Sequence, residues 1–119
     1  MNNLTEFIDY LKTQQQKHLA ISKELANDER KDEAVLQKIR ANVFEIFIAI
    51  STVAQKQSPD APINFITDRI ERICKPWEES LSQAKLHSDY TKITIEEIKI
   101  TAIKEIQEKL AQIKEEASQ

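Results

Sequence analysis

Apolar residues recur every three or four positions along four segments of this chain, which is the spacing of amphipathic helices. The four segments begin at Asn3, near Asp32, between Asp60 and Pro62, and at Thr94. The first and the last of these starts each have a glutamate three residues later, which is the spacing of a helix capping box. The pattern therefore predicts four long helices.

The stretches between these segments are short and polar or contain proline, so we expect successive helices to run antiparallel. With 119 residues, the chain is long enough for one hydrophobic core but not for two. It contains no glycine, the residue on which tight hairpin turns and phosphate-binding loops depend. The sequence therefore predicts a single all-α domain over residues 1–119, folded as an antiparallel four-helix bundle.

Pro76 lies inside the third helical pattern, where it removes one backbone donor and crowds the carbonyl group of Arg72. The apolar positions keep their phase across it, from Ile73 through Trp77 to Leu81. We therefore predict one helix that is kinked near Pro76. Two shorter helices, with Pro76 at the first position of the second, are the alternative.

The most apolar run of the chain is NVFEIFIAIS, residues 42–51. It is shorter than the roughly 20 residues that a membrane span needs, and Glu45 interrupts it. At helical spacing, Phe44 and Ile48 fall beyond one edge of the main apolar stripe of the second helix. Ile100 lies off the main face of the last helix in the same way. We favour a homodimer interface formed by these three residues; the alternative is a second helix that is central in the fold.

The predicted core is formed by the large apolar residues nearest the centre of each stripe. Five of them are expected to be buried: Leu11, Phe47, Ile70, Trp77 and Ile106. Cys74 lies on the same face as Trp77, so we expect it to be a small buried residue and not a nucleophile.

Charge limits the classes of partner. The chain carries 17 basic and 20 acidic residues, a net charge of −3, and both signs are evenly mixed along it. Neither a basic arm nor an acidic tail is present, so we expect no binding to nucleic acid or to a membrane. The start of the sequence has no basic stretch followed by an apolar one, and one cysteine cannot form an internal disulfide. We expect a cytoplasmic protein.

Two weaker patterns support rival functions. Gln14, Gln15, His18 and Ser22 lie close to one face of the first helix and are a candidate polar pocket for a small-molecule sensor. A hydrogen-bonded structural histidine is the preferred explanation, because no acidic or sulfur partner accompanies His18 at ligand spacing.

Carboxylates spaced three residues apart suit Mg²⁺, and the pairs Glu6–Asp9 and Glu29–Asp32 have that spacing. Such pairs arise by coincidence in a chain with 20 acidic residues, so a metal-dependent hydrolase is a secondary hypothesis. We predict a non-catalytic, intracellular interaction protein of adaptor or inhibitor type that needs no cofactor and no metal.

Overall fold

Four helices account for 91% of residues 3–117, which are the residues that the computed structural model describes, and this part contains no strand. The helices are α1 (Asn3–Asn27), α2 (Lys31–Gln57), α3 (Pro62–Leu86) and α4 (Tyr90–Ala117). The prediction of an all-α antiparallel four-helix bundle is confirmed.

Helices α1 and α3 end in the same motif, although the chain has no glycine to form it. Glu29 and Ser88 adopt left-handed backbone conformations, with φ of 63° and 53°. After α1, the amide of Arg30 donates to the carbonyl of Leu25 at 2.8 Å, and the amide of Glu29 donates to Ala26 at 3.1 Å. These are the two bonds of a Schellman cap. The amides of Asp89 and Ser88 repeat the pattern after α3.

The predicted start of α4 was one turn late. The helix begins at Tyr90, and the carboxylate of Asp89 accepts a bond from the amide of Lys92 at 3.1 Å. Asp89 is therefore the N-cap. The hydroxyl of Thr94 instead donates to the carbonyl of Tyr90, one turn back inside the helix.

Helix α3 continues from Pro62 to Leu86 with Pro76 inside it. The single helix is therefore correct, and the alternative of two shorter helices is wrong. The kink near Pro76 stays a prediction.

Helix α2 packs against each of the other three helices. Its best-buried side chains include Phe44 and Phe47, both with no exposed surface, and Ala41 and Ser51 on the same side. The buried arc of α2 is therefore wider than its predicted apolar stripe, because it includes Phe44, which the sequence pattern places beyond one edge of that stripe. Of the two explanations for the apolar run, the structure shows the central helix.

The predicted core is correct for four of its five members. Leu11, Phe47, Ile70 and Ile106 are at most 2% exposed. Trp77 is only partly buried at the edge of the core, and the Lys99 ammonium lies 4.5 Å from the centre of its ring. Cys74 is also only partly buried. The face of α3 that carries Cys74 and Trp77 therefore lies at the edge of the core.

Candidate functional site

The three residues predicted to form a homodimer interface are covered within one chain. Phe44 is fully buried, Ile100 is 7% exposed, and Ile48 packs against the core in a partly buried position. The ring of Phe44 packs on the rings of Tyr10 and His18 of α1, so a second chain is not needed to bury it. Self-association itself stays a prediction, and it needs another surface.

The candidate polar pocket on α1 is divided between two environments. His18 and Ser22 are buried, whereas Gln14 and Gln15 are partly exposed. The Nδ1 atom of His18 lies 2.9 Å from the Oε1 atom of Gln37, and the ring stacks on Phe44 with 5.7 Å between centroids. His18 therefore has a hydrogen-bonding partner and an aromatic neighbour inside the bundle, as a structural histidine does. The sensor hypothesis stays a prediction.

Burial lowers the pKa of His18, because the low-polarity surroundings penalise the charged imidazolium. The hydrogen bond of His18 to the Oε1 atom of Gln37 opposes that shift, and the positive charge of Arg40 adds to it. The neutral ring is therefore favoured in the folded protein.

A polar recess of about 430 Å³ lies between α1 and α4. It is lined by Tyr10, Glu105, Lys109 and neighbouring residues of α4. Glu105 accepts a hydrogen bond from Arg40, and the Lys109 ammonium lies 5.6 Å from the centre of the Tyr10 ring. Burial, together with Glu105, raises the pKa of Tyr10, so its hydroxyl stays protonated. These charges pair across the helices and stabilise their packing.

A second recess lies at the opposite end of the α1–α2 pair, in the segment from residue 19 to residue 38, which we call the hairpin tip. Within this segment, all of which the structure describes, Ser22 and Ala34 are the buried side chains. The Ser22 hydroxyl donates to the Ala34 carbonyl at 2.7 Å, which joins the two helices at close range. Small residues at this contact leave a groove of about 500 Å³ above it.

The groove has apolar walls. Leu19 from α1 and Val35 from α2 line it and are 44% and 54% exposed. Ala26 adds a further small apolar surface. Helical spacing places Leu19 and Val35 among the apolar positions of their helices, so the sequence predicts that both face the core, and their exposure is a finding of the structure.

Three lysines complete the lining of the groove: Lys23, Lys31 and Lys38. All three are exposed, and none forms an ion pair with a carboxylate of residues 3–117. Within the described part of the chain, no aspartate or glutamate lines the groove. Sequence reasoning missed this site, although its signal was available. In an antiparallel helix pair, residues equidistant from the turn lie opposite one another, which places Leu19 across from Lys38 and Ala26 across from Lys31.

The two acidic pairs considered for Mg²⁺ lie in different settings. Glu6 forms an ion pair with Lys109 at 3.7 Å, and Asp9 is exposed. Glu29 lies in the turn before α2, so it does not share a helical face with Asp32. Within residues 3–117, no three His, Cys, Asp or Glu side chains are grouped closely enough to hold a metal ion.

The thiol of Cys74 donates a hydrogen bond to the carboxylate of Glu78, with 3.3 Å between Sγ and Oε1. Burial raises the pKa of this thiol, and the neighbouring carboxylate raises it further. A nucleophilic cysteine needs the opposite shift.

Comparison with protein-family models, with curated proteins and with solved structures found no match to this chain. No helix among the described residues has a stretch long and apolar enough to cross a membrane.

Proposed function

We propose that this protein acts by binding another protein through its hairpin tip, as an adaptor or an inhibitor. The observation that supports this most directly is the exposure of Leu19 and Val35 on the two sides of one groove. Covering such side chains removes apolar surface from water at about 25 cal/mol per Å², and apolar surface in a recess is typical of interaction sites.

The rest of the bundle supports the same proposal by the way it holds the tip. The halves of α1 and α2 that lie away from the turn contribute Phe7, Leu11, Phe44 and Phe47 to the core, each without exposed surface. The core therefore fixes the direction of both helices, and their other ends extend from it with a defined spacing. Binding at a preformed groove loses little conformational entropy.

Affinity capture from the source cell with the full chain tests the proposal. The variant Val35→Glu places a charge in the groove, and Val53→Glu is its matched control, because Val53 is an exposed valine of the same helix that does not line the groove. We expect the wild type and Val53→Glu to retain the same protein and Val35→Glu to lose it. Capture of no specific protein, or equal capture by all three chains, would contradict the proposal.

Self-association is a second prediction, and the wild type and the same two variants can test it. Sedimentation equilibrium of the full chain distinguishes a monomer from a dimer. If a dimer forms, Val35→Glu and Val53→Glu show whether the groove takes part in it.

A further inference from the structure

The shape of the groove at the hairpin tip fits the apolar face of a helix. Its lining residues on α1, from Leu19 to Ala26, span two helical turns, and those on α2, from Lys31 to Lys38, span the same length. Two helices packed through small residues leave a furrow between them that a third helix can enter. A partner helix that crosses it would insert large side chains spaced three or four residues apart.

The floor of the groove offers little to a polar ligand. Ser22 supplies the hydroxyl group of the lining. This residue is 1% exposed, and its hydroxyl donates a hydrogen bond to the carbonyl of Ala34. The walls and the remaining floor are the apolar side chains already described. The central part of the ligand must therefore be apolar.

The rim of the groove is positively charged on both sides. Lys23 belongs to α1, and Lys31 and Lys38 belong to α2, so acidic groups on either flank of a bound segment would meet an ammonium group. The whole chain has a net charge of −3, so this positive rim is a local feature and not a consequence of composition. Charges on a rim fix the orientation of the partner and its rate of association.

From this shape and charge we infer that the groove binds an acidic amphipathic helix of another protein. This helix presents a pair of large apolar side chains to Leu19 and Val35, with aspartate or glutamate residues on both flanks. The inference rests on the proposed function and adds the chemistry of the partner.

A second copy of this chain fits the groove poorly. In a two-fold contact the same surface faces itself, so the three lysines of one chain would lie close to those of its partner. Like charges in such a contact oppose association. An acidic segment of a different protein meets no such repulsion.

A phage-displayed library of random short peptides, selected on the full chain and then depleted on the Val35→Glu variant, tests the inference. We expect the enriched peptides to share two large apolar residues at helical spacing, with acidic residues on both sides. Their amide shift maps should centre on Leu19, Lys23, Val35 and Lys38. Enriched peptides without an acidic bias, or with shifts centred elsewhere, would overturn the inference.

Charge reversal then tests the rim separately from the walls. For an enriched peptide, Lys23→Glu combined with Lys38→Glu should weaken binding about tenfold or more, and higher salt should weaken binding to the wild type. Lys92→Glu is the control: this exposed lysine in the first turn of α4 does not line the groove, and binding should be unchanged. Equal affinity for the double variant and the control would contradict the role of the lysines.

The outcomes distinguish this inference from the proposed function. If capture from the cell depends on Val35 but the captured protein contacts the groove through a basic or neutral segment, the proposed function stands and the acidic-helix inference fails. If acidic peptides bind the groove but the cell yields no specific partner, the proposed function fails while the chemistry of the groove is supported.

Discussion

The two ends of the α1–α2 pair use the same two helices in different ways. Away from the turn, Phe7, Leu11, Phe44 and Phe47 interlock with no exposed surface. In the hairpin tip, all of which the structure describes, the buried side chains are the two small ones of Ser22 and Ala34, while Leu19 and Val35 stay exposed. Continuous helical periodicity therefore does not imply continuous burial. One half of the pair forms the core, and the other half is a surface held in place by it.

The largest expected effect comes from the packed end. Phe44→Ala removes a fully buried ring that stacks on His18 and meets the edge of Tyr10. We expect the free energy of unfolding to fall by about 3–5 kcal/mol, from lost burial and from the cavity left behind. Urea denaturation measures this change. An unchanged midpoint would show that Phe44 is not part of the core, and it would restore the homodimer interface that the structure argues against.

Substitutions in the C-terminal caps of α1 and α3 are expected to raise the stability of the protein. Glu29→Gly at the tip and Ser88→Gly after α3 each relieve a left-handed residue that carries a side chain. We expect each to raise the free energy of unfolding by about 0.5–1 kcal/mol. Ser82→Gly, at an exposed position inside α3, is the control and should lower it by about as much. A loss of stability in both cap variants would contradict the cap geometry.

His18 lies at the boundary between the two ends, and its titration reports on the packing there. Burial lowers its pKa below the ordinary value of 6.5, so below that pH the unfolded chain binds the proton more readily than the folded one. The free energy of unfolding should therefore be fully retained above pH 6.5 and should fall as the pH drops from there towards the pKa of the folded protein.

Denaturation of the wild type and of His18→Gln between about pH 7.5 and 5.5 isolates this contribution. His18→Gln should reduce the pH dependence relative to the wild type. If stability rises as the pH falls through this window, His18 is paired with an acid and the described environment is wrong.

The smallest expected effect comes from the tip. Leu19→Ala and Val35→Ala remove side chains that are about half exposed, so we expect the free energy of unfolding to change by no more than about 0.5 kcal/mol. The same denaturation experiment used for Phe44→Ala measures both. A loss comparable to that of a core residue would show that the tip is packed and that the groove is closed in solution.

Helical periodicity was sufficient to predict the four helices and where three of them begin. The predicted start of α4 was wrong because Thr94 and Glu97 have the spacing of a capping box. The N-cap is Asp89, whose amide also forms one of the two hydrogen bonds of the Schellman motif after α3. One residue serves two helices there, and a pattern read one helix at a time does not show this.

The candidate site was harder to predict for a related reason. Periodicity shows which residues of one helix share a face, but not how many neighbours cover that face. Phe44 is fully buried against the rings of Tyr10 and His18, whereas Val35, on the same helix, is 54% exposed. The groove depends on Ser22 and Ala34 meeting across the turn, which is a property of the pair of helices.

Residue-resolved amide hydrogen exchange along α2 tests the difference between the two ends most directly. Amides near Phe44, Phe47 and Ser51 should exchange with free energies close to that of global unfolding, whereas those from Ala34 to Lys38 should open at distinctly lower free energies. A gradient of protection along this one helix is the result that we predict. Uniform protection from Ala34 to Ser51 would show that the tip is as firmly packed as the core and would contradict the account.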